Sequence, residues 1–109
     1  MRIAVIGSRG VHSVNIGEFV AMTDEIVSGG ASGVDACAEK YAKDNGIKIT
    51  VFLPEYNRYG RGAPIVRNKI IVDYTDKVIA FWDGKSRGTL WVIKYAKATN
   101  KPCQVIYCE

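Results

Sequence analysis

Four short segments of this chain carry residue types suited to holding an anion: Gly7-Ser8-Arg9, Gly29-Gly30-Ala31-Ser32-Gly33 with Asp35 just beyond, Arg67-Asn68, and Asp83 followed by Ser86-Arg87-Gly88-Thr89. Glycine lets a backbone come close to a ligand, hydroxyls and guanidinium groups donate to phosphate oxygens, and backbone N–H groups that open a helix meet an anion with a favourable dipole. None of the segments is a strict GxGxxG fingerprint, and the GGxxG turn at Gly29–Gly33 is not followed by the GK[ST] of a P-loop. A dinucleotide-dependent dehydrogenase and a P-loop hydrolase are therefore disfavoured.

The remaining candidates are weighed against simpler roles. Asp35 falls in the first turn of the helix that follows the second glycine turn, where it would complement the dipole or orient a ribose hydroxyl or a water. It is the one candidate for a catalytic group. Asp83 ends a strand and would contact a ligand or form a turn. Glu39, one turn beyond Asp35, reads as a partner in a surface salt bridge, and His12 as an exposed loop residue. Arg58 and Arg61 are loop charges or phosphate contacts. Tyr56, Tyr59 and Trp82 would stack on a base, with core packing the equal alternative for Trp82.

These residues are positioned by an alternation of β-branched runs and helical patterns that announces stacked βαβ units. Strands are expected at Arg2–Ile6, from Glu25 to Ser28, at Ile47–Leu53, Lys77–Trp82 and Pro102–Tyr107. Helices are expected around Ile16–Val20, over Gly33–Asn45, from about Ile65 to Tyr74 and from about Thr89 to Ala98, with Pro54–Pro64 irregular. The fold class that follows is α/β, a Rossmann-like three-layer sandwich with a five-stranded parallel sheet and helices on both faces. In such a sheet every strand-to-helix turn lies at the carboxyl end, and nine of the eleven glycines fall in those turns. That asymmetry places the ligand site there.

The chain of 109 residues fits a single domain over 1–109, and its 48% apolar and 24% charged residues are an ordinary globular mixture. Cys37, Cys103 and Cys108 form no CxxC pair and His12 is the lone histidine, so no metal site is expected and the thiols read as reduced and mostly buried. No apolar run approaches the roughly 20 residues of a membrane span, and the first strand meets Gly7 too early for a signal-peptide core. A cytoplasmic location and no membrane partner are expected. The net charge of +4 favours anionic partners without identifying nucleic acid. Trp91, off the apolar stripe of its helix, suggests an exposed surface and a homodimer.

Taken together, Gly7-Ser8-Arg9, Ser28-Gly29-Gly30-Ala31-Ser32-Gly33-Val34-Asp35, Arg67-Asn68-Lys69-Ile70-Ile71 and Ser86-Arg87-Gly88-Thr89 resemble the SLOG superfamily, named for the DNA-processing Smf/DprA proteins and the cytokinin-activating lonely-guy proteins. The resemblance runs in order along essentially the whole chain and is nearest to a small stand-alone branch related to YspA and YpsA. It implies a Rossmann-like sheet and a pocket for a nucleotide or nucleotide derivative built from these turns; a phosphorylated small molecule is the expected ligand, and no cofactor is expected to be required. The phosphoribohydrolase branch carries PGGxGTxxE, whereas Lys85–Val92 here ends in Val92 where that glutamate would stand. The resemblance therefore points to a nucleotide binder or sensor ahead of an N-glycosidic hydrolase. Likeness to the DNA-processing branch adds single-stranded DNA as an alternative partner, tracked by Arg58, Arg61, Arg67 and Arg87.

Overall fold

The structure, a computed structural model, describes residues 1–20 and 23–108. Its strands are short apolar runs whose alternate side chains enter two different cores. In β1 (Arg2–Gly7), Ile3 and Val5 face one way, while Ala4 and Ile6 face the other. The same alternation separates Ile26 from Val27 in β2 (Glu25–Ser28), and Ile79 and Phe81 from Val78 and Ala80 in β4 (Lys77–Trp82). Both faces of the central strands must be covered, which is why they read as nearly unbroken apolar segments.

On one face lie α1 (Gly17–Val20) and α2 (Val34–Asp44), the latter contributing Val34, Ala38 and Ala42. On the other lie α4 (Ala63–Tyr74) and α5 (Arg87–Ala98), contributing Ile71, Val72, Val92, Ile93 and Ala96. Two edge strands, β3 (Lys48–Val51) and β5 (Cys103–Tyr107), complete an all-parallel sheet of order β3-β2-β1-β4-β5. This is the Rossmann-like α/β fold expected from the sequence, with helices on both faces. The chain winds outward from β1 to β3, then returns to pair β4 with β1, Gly7 opposite Phe81. The turns after β1 and β4 therefore diverge, and a crevice opens between them.

The differences from expectation are local. Pro54–Pro64 is not irregular: Tyr56–Tyr59 forms a short helix, α3, Gly60–Gly62 continues it as a 3-10 turn, and α4 already begins at Ala63 with Pro64 in its first turn. Strand β3 is shorter than Ile47–Leu53. The three cysteines are free but half-buried. Trp91 is half-buried too, stacked on Tyr95 with ring centroids 5.1 Å apart, so the exposed surface expected there is absent. Among the described residues, no helix is long and apolar enough to cross a membrane.

Candidate functional site

A cavity of about 430 Å³ occupies the crevice between the carboxyl ends of β1 and β4. Its walls come from four places distant in sequence: the turn after β1, the turn between β2 and α2, the first half of α4, and the turn that opens α5.

The first wall exists because residue 7 has no side chain. A Cβ at Gly7 would lie 2.5 Å from Val34 Cγ2 and 2.7 Å from the Phe81 carbonyl oxygen. The strand thus leaves the sheet wedged between α2 and β4. The Ser8 N–H then donates to Phe81 O at 3.0 Å, and the Ser8 Oγ, only 1% exposed as a residue, accepts from the Asp83 N–H at 3.3 Å. Arg9 stands exposed at the rim.

The second wall differs from the open phosphate seat expected at Gly29–Gly33. Asp35 reaches back from α2, and its Oδ2 accepts from the N–H groups of Gly29 at 3.2 Å and Ala31 at 3.1 Å. The Gly30 N–H donates to Ser28 Oγ at 3.4 Å, while that hydroxyl donates to Glu39 Oε2 at 3.0 Å. The turn's donors are thus taken by the protein's own side chains, and Glu39 anchors β2 to α2 instead of forming a surface salt bridge. Asp35 is 5% exposed. Its burial pushes the carboxyl up to about 6, against the pull of the Ala31 N–H, the Arg67 guanidinium and the Gly29 N–H, with Glu39 adding to the rise.

Gly30, Ser32 and Gly33 stand outside the cavity lining. Gly33, at φ 77°, allows the turn to press against the loop after β1: a Cβ there would sit 2.6 Å from Arg9 O and 2.8 Å from Val11 O. The expected ligand contact is a structural one.

From α4, Arg67 crosses to the second wall, where its Nη1 donates to Gly29 O at 2.5 Å and its Nε to Asn68 Oδ1 at 2.8 Å. The second bond fixes the Asn68 amide with Nδ2 as its remaining donor. The last wall is a turn held by Asp83, whose Oδ1 accepts from the N–H groups of Lys85 and Ser86, both at 2.8 Å. Those bonds hold its carboxyl below the usual range. Ser86 caps α5, its Oγ accepting from the Thr89 N–H at 3.5 Å, and Gly88 and Thr89 face the cavity. Arg87 does not: it is exposed and outside the lining, so its expected part in neutralising phosphate is not met.

The aromatic candidates lie elsewhere. Trp82 Nε1 donates to Ser86 O at 3.0 Å and its ring tilts against Tyr107, with centroids 5.5 Å apart. Tyr56, Tyr59, Arg58 and Arg61 are exposed on α3 and the 3-10 turn, and His12 is exposed near α2, all outside this lining. In their place the cavity has an apolar floor of Ile6, Pro64, Ile71 and Val92. Ile6, Ile71 and Val92 also belong to the core on that face of the sheet. Their second role was nonetheless signalled by spacing, since Ile71 is four residues from Arg67 and Val92 three from Thr89, each pair sharing a helix face.

Among the described residues, no group of three or more His, Cys, Asp or Glu side chains could hold a metal ion. Comparison with protein-family models, curated proteins and solved structures returned no match.

Proposed function

We propose that the cavity binds a small phosphorylated ligand of nucleotide type, as a binding or sensing module rather than an enzyme. The observation that carries this reading is the meeting of separate glycine turns at the point where strand order reverses, with Arg9, Arg67, Asn68 and the N-terminus of α5 around one hollow. The volume falls within the range of small-molecule sites, and the apolar floor suits the face of a base or sugar. The likeness of the four motifs to the SLOG superfamily supports the same ligand class. Phosphate would sit by Gly7–Arg9 and by the Gly88 N–H, which has no partner among the described residues.

Val92 supports the non-catalytic side of the reading. It is 2% exposed and apolar, and it lines the cavity where the hydrolase pattern has glutamate. One observation favours a catalytic alternative: Asp35 is a buried carboxyl in a cleft with a raised pKa, the profile of a general acid or base. Calorimetric titration with nucleoside 5′-monophosphates, followed by chromatography for free base, separates the two. The binder reading expects saturable binding at about micromolar affinity with no base released. Base release abolished by Asp35→Asn would overturn it. The exposed Tyr56, Arg58, Tyr59 and Arg61 row favours single-stranded nucleic acid as a second ligand class. That reading requires affinity that rises with oligonucleotide length and falls steeply with salt.

A further inference from the structure

The two oxygens of Asp35 are in different situations. Oδ2 is saturated by the Gly29 and Ala31 N–H groups, while Oδ1 has no partner among the described residues. No side-chain nitrogen or oxygen among those residues is both fully buried and without a partner. Since Asp35 is 95% removed from solvent yet lines the cavity, Oδ1 must open into the cavity itself. A carboxylate oxygen left there can only accept, so it needs a ligand atom that donates.

Its neighbours supply the complementary half. Asn68 Nδ2 and Arg67 Nη2 are donors without partners among the described residues, because Asn68 Oδ1 and Arg67 Nε are already joined and Nη1 is tied to Gly29 O. Arg67 and Asp35 approach the same backbone point: a Cβ at Gly29 would be 2.7 Å from Arg67 Nη1 and 3.1 Å from Asp35 Oδ2. One fixed acceptor flanked by fixed donors matches vicinal hydroxyls, each of which donates and accepts. It does not match phosphate, which would bring more negative charge against Asp35, with Glu39 behind it, at a turn whose N–H groups are spent.

We propose that Asp35 Oδ1 is the cavity's hydroxyl acceptor, so that the β2 side of the site takes the cis-diol of a ribose and rejects a phosphate. This rests on the reading that the cavity holds a phosphorylated ligand, and it orients that ligand. The sugar lies against β2 and α4, and the single phosphate lies by β1 and α5. Asp35 then discriminates ribose from its deoxy analogues, because removing the hydroxyls leaves a buried charged acceptor unpaired.

The test is calorimetric titration at pH 8 with ribose 5-phosphate, adenosine 5′-monophosphate, its 2′,3′-dideoxy counterpart and inorganic phosphate. The native protein should prefer the ribonucleotide over the dideoxy compound by about ten-fold or more. Ribose 5-phosphate should bind if the sugar phosphate alone is the recognised unit, and the nucleotide alone if the base contributes. In Asp35→Asn, whose amide oxygen can still accept from the Gly29 and Ala31 N–H groups, the preference should shrink to about three-fold or less and inorganic phosphate should bind more tightly. Equal binding of the ribo and dideoxy compounds by the native protein overturns the diol assignment and leaves the phosphorylated-ligand reading standing. So does a folded Asp35→Asn protein that keeps the preference. If none of the four compounds binds, the reading beneath falls with it.

Discussion

Two turns in this molecule use the same device with opposite electrostatic results. Before α2, Asp35 accepts from the N–H groups of Gly29 and Ala31; before α5, Asp83 accepts from those of Lys85 and Ser86. Each is a carboxylate pinning a glycine-bearing strand-to-helix turn with two backbone bonds. Yet Asp35 is raised to about 6, and Asp83 is lowered. The hydrogen bonds pull both groups the same way, so they cannot explain the contrast. Burial does: Asp35 is 5% exposed, with only its cavity edge open, whereas Asp83 lies where water reaches it more freely. Both turns border the cavity, but the α2 turn is packed into the core, whereas the α5 turn is a surface cap.

The strongest way to break that contrast is through glycine. Gly33→Ala puts a methyl at φ 77° against the carbonyls of Arg9 and Val11, all backbone, and should cost about 4 kcal/mol in urea unfolding. Gly88→Ala meets nothing within 4 Å in the first turn of α5, and should stabilise by about 0.5 kcal/mol. Equal effects would mean that the two turns are equally free. The next largest effect comes from the carboxylates. Asp35→Ala strands two donors, one of the bonds being fully buried, and should lose about 3 kcal/mol. In Asp83→Ala the Lys85 and Ser86 N–H groups return to water, so a much smaller fall in melting temperature is expected. A loss as large as that of Asp35→Ala would refute the surface-cap description.

How far the sequence revealed these turns follows from the same physics. Glycine positions were readable, since Gly7 and Gly33 stand where a side chain would strike backbone, and such places admit little else. The alternation in β1 and β4 was readable because each residue has to enter one of two cores. The filling of the Gly29–Ala31 nest was not. It depends on Asp35 folding back over the turn and on Arg67 arriving from 38 residues away to meet Gly29 O, and no local pattern encodes either. Helix α3 was missed for a related reason: it buries no residue, so it carries no apolar period. Arg87 was misplaced because a residue in a first helical turn points into the crevice or away from it according to a rotation that composition does not record.

The most delicate discrimination between the two turns is their response to pH. Asp35 titrates at about 6 in the folded protein, above the 3.8 of an unperturbed aspartate. Between those values the folded state binds more protons than the unfolded one, so the carboxyl's contribution is fully present below pH 3.8 and is lost as pH rises through 6. Asp83, lowered in the folded state, contributes in the opposite sense: its share is present above the unperturbed value and disappears as pH falls through the folded one. Across pH 4 to 6 only Asp35 of this pair makes stability decline with rising pH, by a slope approaching about 1 kcal/mol per unit. Urea midpoints measured over that interval for the native protein and for Asp35→Asn should therefore diverge, the variant lacking the decline. Asp83→Asn should run parallel to the native curve there, displaced to lower stability, and approach it only at lower pH, where the native protein loses the Asp83 contribution. A variant lacking Asp35 that kept the native slope would mean the carboxyl is hydrated in the folded state, and the distinction between a core turn and a surface cap would vanish.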